Sequence, residues 1–421
     1  MTKAKHVGPL LIALLLVPWF SPDCAFSSVP HSRTPLLVGY FPQWGLDFAQ
    51  PYYVKSLITN GAVRRLDQIN YAQASVRGGR CSLANPSADL NTRFTRQNSV
   101  SGKPDGSRSR FRGYFHQLQE LKRQYPHIKI LISLEGDPRD FAKDAQVENR
   151  TAFVASCVDI FLRGHFSHGI RKPGIFDGFD IDWESPQEKD AGNFRALLQE
   201  FRRQMNAVRS GSLLSIAVPE SPKTLSGTNF AAIAPLVDEV GVMNYDYAGP
   251  WSPTTGLLAP LFSPDPQHPD SIENSIASYE AAGVPREKLL MGLPFYGYSW
   301  TDVEVANGGL FQSGRPIEED CPYNQLQSVA ANFAIYRDER SQAPWLFDGR
   351  TFWTYEDPIS VRFKASYASD QHLGGVMIWE LSDDTADAEL LGIAYKSLHD
   401  PLEENVFKQR SLAPRVRVQF P

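Results

Sequence analysis

Between Leu36 and Leu381 the chain carries eight short apolar runs rich in β-branched and aromatic residues. They are Leu36 to Phe41, Gln68 to Val76, Ile128 to Leu134, Phe176 to Trp183, Leu213 to Val218, Val237 to Tyr245, Leu289 to Tyr296 and Gly375 to Leu381. Their apolar character is continuous rather than alternating, which suits parallel strands covered on both faces. Between most of them lie segments with apolar residues at three- and four-residue spacing: Phe111 to Tyr125, Thr151 to Phe166, Asn193 to Val208, Ser271 to Ala282, Ile359 to Ala368 and Ala386 to Leu398. Eight strands alternating with helices predict an α/β fold, the (β/α)8 TIM barrel. A doubly wound open sheet is the competing arrangement, but no Gly-rich phosphate loop follows the first run.

Two stretches break the repeat. Arg77 to Arg110 is polar, with Gly, Ser, Asn and Pro, and predicts an exposed loop. Residues 299–354 predict a short insertion between strand 7 and helix 7, with a short helix from Tyr323 to Asn332 and few strands. A low cleft wall, and endo-type cutting in an open groove, would follow from so small an insertion. The barrel is expected over residues 34–400, and residues 401–421, which lack apolar periodicity, as a loosely attached extension.

The start of the chain reads as a signal peptide over residues 1–27: Lys3 and Lys5, an apolar run from Val7 to Phe20, then small and polar residues. Cleavage after Ala25 or Ser27 predicts a secreted, extracellular protein, periplasmic in a bacterium. Either cut removes Cys24 and leaves Cys81, Cys157 and Cys321, enough for one bridge. Cys157 lies in a helical apolar pattern and reads as a core residue, so the expected pair is Cys81 with Cys321. With 47 acidic against 42 basic residues, nucleic acid and anionic membrane are poor partners and a neutral ligand is a better one. No stretch after the leader is apolar enough to cross a membrane.

The densest chemistry is in Phe176-Asp177-Gly178-Phe179-Asp180-Ile181-Asp182-Trp183-Glu184. On a strand, Asp180, Asp182 and Glu184 share one face, while Phe179, Ile181 and Trp183 share the other. A barrel strand opens at its C-terminal end on the active face, so Glu184 belongs at the mouth with the aspartates below. Crowded carboxyls share protons, which raises at least one pKa, and a raised carboxyl in a cleft suits a general acid acting on a glycosidic oxygen.

This segment resembles the D-x-x-D-x-D-x-E signature of glycoside hydrolase family 18, the chitinase family, with every signature position filled. The resemblance extends over Val38-Gly39-Tyr40, Ile69-Asn70-Tyr71-Ala72, Val242-Met243-Asn244-Tyr245-Asp246, Gly292-Leu293-Pro294-Phe295-Tyr296-Gly297 and Met377-Ile378-Trp379-Glu380. It implies a chitinase that acts on chitin or N-acetylglucosamine oligosaccharides as a monomer, with no cofactor and no metal. It also implies retaining cleavage in which the substrate's own acetamido oxygen is the nucleophile. By position, Glu184 would protonate the leaving oxygen, Asp182 hold the acetamido N–H, Asp180 share charge and proton with Asp182, and Tyr245 donate to the acetamido oxygen. Trp379 resembles the tryptophan on which a sugar ring stacks. Tyr40, Asp246, Met243 and Trp251 are further substrate-binding candidates, with Trp44 and Trp300 as weaker ones.

Three departures bear on specificity. The family's S-x-G-G is Ser133-Leu134-Glu135-Gly136, the aromatic usual after Tyr71-Ala72 is Gln73, and the position after Tyr296-Gly297, often Arg, is Tyr298. Two alternatives therefore stand beside the chitinase: an endo-β-N-acetylglucosaminidase acting on N-glycans, and a lectin-like relative that binds without cutting. The second usually lacks the glutamate, and Glu184 is present.

Overall fold

The computed structural model describes residues 34–106, 108–411 and 417–420. Eight parallel strands follow one another around a ring: β1 (Leu36–Pro42), β2 (Gln68–Arg77), β3 (Lys129–Glu135), β4 (Gly178–Ile181), β5 (Leu213–Val218), β6 (Glu239–Val242), β7 (Leu289–Pro294) and β8 (Gly375–Trp379). β8 pairs with β1, and β1 with β2, which closes the (β/α)8 barrel that the apolar runs predict. Helices Gly113–Gln124, Val147–Cys157, Ala191–Val208, Ile272–Ala281, Pro358–Asp370 and Glu389–His399 occupy the connections. In Ala191–Val208 the buried side chains are Phe194, Leu197, Leu198, Phe201 and Met205, the stripe that turns inward on a 3.6-residue period. Its Phe201 packs on Phe179 of β4 with centroids 5.2 Å apart. The connections from β1 to β2 and from β5 to β6 hold only the four-residue helices Ser56–Thr59 and Phe230–Ile233, too short to show a period.

The insertion after β7 is richer in strands than its sequence suggests. Tyr296–Thr301, Arg315–Pro322, Ala334–Asp338, Pro344–Phe347 and Phe352–Thr354 form an antiparallel sheet, joined by helix Tyr323–Ala330. The sheet has its own core, including Trp300, Trp345, Phe347 and Phe352. Half-exposed strands such as Arg315–Pro322 carry little apolar signal, which is why the pattern misses them. The expectation of few strands is corrected accordingly, and endo-type cutting loses the premise of a low wall. A second correction concerns the tail: Arg417–Phe420 adds a sixth strand to this sheet, antiparallel to Ala334–Asp338.

The polar stretch after β2 is also more built than an exposed loop. Arg80–Leu83 folds back antiparallel on β2. Beyond it Asp89 is buried, accepting from Gln43 Nε2 at 2.7 Å and from the Tyr71 hydroxyl at 2.6 Å. The hairpin sets Cys81 against the end of helix Val147–Cys157, and the disulfide is Cys81–Cys157, not Cys81–Cys321. Cys157 is both core and bridge, a combination that helical periodicity alone does not reveal. Cys321 is free, its thiol pushed up to about 11 by burial and by Asp320 and Asp383. The bridge spans 76 residues. Replacing both partners by alanine should therefore lower unfolding stability by about 2–4 kcal/mol, read from urea midpoints. The expected signal peptide lies outside the described residues.

Candidate active site

β4 is pressed hard against its neighbour: a Cβ on Gly178 would fall 1.7 Å from the Leu213 carbonyl oxygen, so only glycine fits. Beyond Ile181 the chain stays in the ladder, with the Asp182 N–H donating to the Leu134 carbonyl at 3.0 Å. The outward residues anchor it. Trp183 stacks on Phe141, centroids 5.4 Å apart, and meets Phe194 edge-on.

The inward face holds the acids. Asp180 is fully buried, and its Oδ2 accepts from the Tyr40 hydroxyl at 2.7 Å and the Ser133 hydroxyl at 3.0 Å. Among the described residues neither its Oδ1 nor Oδ1 of Asp182 has a hydrogen bond of good geometry, although Ser215 and Asn70 stand near enough to Asp180 to favour its charged form. The two carboxyls thus stand on one face of the strand, each with a buried oxygen short of a donor. Burial raises the Asp180 pKa while Tyr40 and Ser133 hold it down. Asp182 rises well above the carboxylate range, through burial and then the charges of Asp180, Glu184 and Glu135. Glu184 stands exposed at the mouth.

A cavity of about 270 Å³ opens above these groups. Of the sequence candidates, Tyr40, Asp182, Glu184, Met243, Tyr245, Asp246 and Trp379 line it, and Asp180 lies beneath. Trp379 is half-buried and leans on Tyr40 and Trp44 at 5.3 and 6.1 Å. Trp44 belongs to an adjoining cavity of about 550 Å³ that shares Trp379 and Asp320 with the first. Trp251 does not reach the cavity; it is 61% exposed and meets Tyr298 edge-on at 5.7 Å. Trp300 is core, donating its indole N–H to the Ser252 carbonyl. Gln73 does not line the cavity either, whereas Glu135 and Tyr298 do.

Tyr296 and Asp320 line it too and were not singled out from sequence. The Tyr296 hydroxyl donates to Asp246 Oδ1 at 2.6 Å. Tyr296 stands in a quoted motif, so a signal existed; Asp320 sits in the insertion with none. Burial pushes Asp246 up to about 6, against the pull of the Tyr296 hydrogen bond. Between about pH 4 and 6 the unfolded chain has released this proton and the folded chain still holds it, so stability falls as pH rises through that window. Asp246→Asn should flatten that part of the stability profile, measured as urea midpoints at pH 4 and pH 7.

Residues 36–384 match the model of glycosyl hydrolases family 18. The chain belongs to this family. It is 30% identical over 375 residues to chitinase C of Streptomyces lividans, covering 86% of this chain and 59% of that protein. The chain thus spans about three fifths of the length of several curated relatives it matches. Among solved structures, the catalytic domain of the psychrophilic chitinase B from Arthrobacter TAD20 superposes with a TM-score of 0.78 at 28% identity, covering 87% of this chain and 96% of that one. A family 18 N-acetylglucosaminidase from Paenibacillus barengoltzii gives 0.69 at 28% identity, covering 86% and 99%. This family 18 chain places the signature, Asp177 to Glu184, in β4 and immediately on either side of it.

Proposed function

We propose that this protein is a chitinase that hydrolyses β-1,4 linkages between N-acetylglucosamine units with retention of configuration. The observation that carries the reading is the cavity in which Asp182, Glu184 and Tyr245 meet, with Asp180 fully buried beneath Asp182 and a buried oxygen on each aspartate short of a donor. A proton shared there leaves Asp182 able to hold an acetamido N–H without a full charge beneath it. Tyr245, its phenol pKa raised by burial and nearby carboxylates, keeps its proton and donates a hydrogen bond to the acetamido oxygen. That oxygen attacks the anomeric carbon while Glu184 protonates the departing oxygen. Water then opens the cyclised intermediate with Glu184 as base, which restores the starting protonation. Trp379 offers a flat apolar floor to the sugar ring.

Export is part of the proposal. The Cys81–Cys157 bridge fits an oxidising compartment, and among the described residues no helix is long and apolar enough to cross a membrane. Hydrolysis of chitin oligomers followed by NMR should show the β-anomer of the new reducing end first. An α-anomer first would sink retention, and release of single N-acetylglucosamine units would favour an N-acetylglucosaminidase activity, the one named for the Paenibacillus neighbour.

A further inference from the structure

Glu135 replaces a glycine of the family pattern, and its carboxyl forms part of the cavity wall. It closes β3 two residues after Ser133 and so shares the inward face of that residue. Ser133 pairs with Asp180 and Leu134 with Ile181, which sets Glu135 one layer higher, level with Asp182 at the barrel mouth. It is half-buried, and among the described residues no side chain or backbone group donates to it. The cavity carries five carboxyls, on Glu135, Asp182, Glu184, Asp246 and Asp320, and no Lys, Arg or His. Of the five, only Asp182 and Glu184 act in the mechanism above.

Burial and the charge of Glu184 push the Glu135 pKa up. An unpaired carboxylate beside another is a repulsion that a cation relieves. Fully acetylated chitin offers no cation; a sugar that has lost its acetyl group offers an ammonium. The sugar on the non-reducing side of the scissile bond must keep its acetyl group, because that group is the nucleophile. Glu135 and Glu184 line one cavity, and Glu184 meets the departing oxygen; with the other sugar excluded, an ammonium held there belongs on the departing sugar.

Resting on the chitinase reading, we propose that Glu135 is a specificity-determining residue that, on partly N-deacetylated chitin, favours bonds whose departing sugar carries a free ammonium. The departing sugar becomes the new non-reducing end of a product, so the preference is written into the product ends. Wild type, Glu135→Gln and Glu135→Asp should be compared on a soluble, partly N-deacetylated chitin with product-end sequencing, and on the fully acetylated hexamer. Glucosamine at new non-reducing ends should be about fivefold more frequent with wild type than with Glu135→Gln. Glu135→Asp should retain part of the enrichment, and added salt should reduce it in wild type. Equal end compositions in wild type and Glu135→Gln, with both active on the hexamer, overturn this inference alone. So does an equal fall of kcat/KM on both substrates in Glu135→Gln, which would mean that the residue acts through Glu184 and not on the sugar. Failure of wild type to cleave the hexamer overturns the chitinase reading itself, and this inference with it.

Discussion

Glu184→Gln should lower kcat on N-acetylglucosamine oligomers by about 10²- to 10⁴-fold while leaving the fold and ligand affinity nearly intact. The amide keeps the shape of the side chain and can still hydrogen-bond the glycosidic oxygen, but it has no proton to give. Glu184 is exposed at the end of the ladder, with none of the hydrogen bonds that bury Asp180, so its replacement removes no structural contact. The measurement is kcat by product release beside binding of an uncleaved oligomer by calorimetry. Turnover near that of wild type would remove Glu184 from the chemistry. Lost binding together with lost turnover would point to a damaged cavity.

The barrel was legible because its strands are buried on both faces. Continuous runs such as Leu289 to Pro294 have no reading other than a covered strand or a buried helix segment, and eight of them alternating with helical periods leave little choice. The acids of β4 were legible for a related reason. Asp180, Asp182 and Glu184 interrupt an otherwise apolar strand at every second position, and a two-residue period names the face they share.

What escaped the sequence depends on contacts between distant segments. Arg315–Pro322 has exposed or half-exposed residues throughout and earns its strand only by pairing with Tyr296–Thr301. Asp320, carried on that strand, reaches the cavity by the same pairing and announces itself by no motif. Asp89 reads as a loop aspartate until Gln43 and Tyr71 are seen to enclose it. The disulfide was misassigned because the hairpin Arg80–Leu83, which carries Cys81 to the helix of Cys157, has no apolar signal of its own.

A substrate whose sugar on the non-reducing side of the scissile bond lacks its acetyl group should bind and be cleaved at least about 10³-fold more slowly, because the reaction loses an intramolecular nucleophile. The sequence alone leaves a rival open, since Asp182 sits two residues from Glu184 on the same face, within the range of a retaining pair of carboxyls. The geometry weighs against that rival. A carboxylate nucleophile must be ionised, whereas Asp182 is pressed toward its protonated form by burial and by three neighbouring acids, and its Oδ1 finds no donor to stabilise a charge. A half-buried carboxyl whose charge is disfavoured is suited to orienting an amide and poorly suited to attacking carbon. A thiazoline that mimics the cyclised intermediate should accordingly inhibit competitively and lose affinity in Asp182→Ala, where the group that orients it is gone. Defined tetramers with one glucosamine at each position separate the two schemes. Rapid cleavage on the reducing side of a deacetylated sugar, or a sugar found covalently attached to Asp182 by mass spectrometry, would hand the nucleophile's role back to the protein.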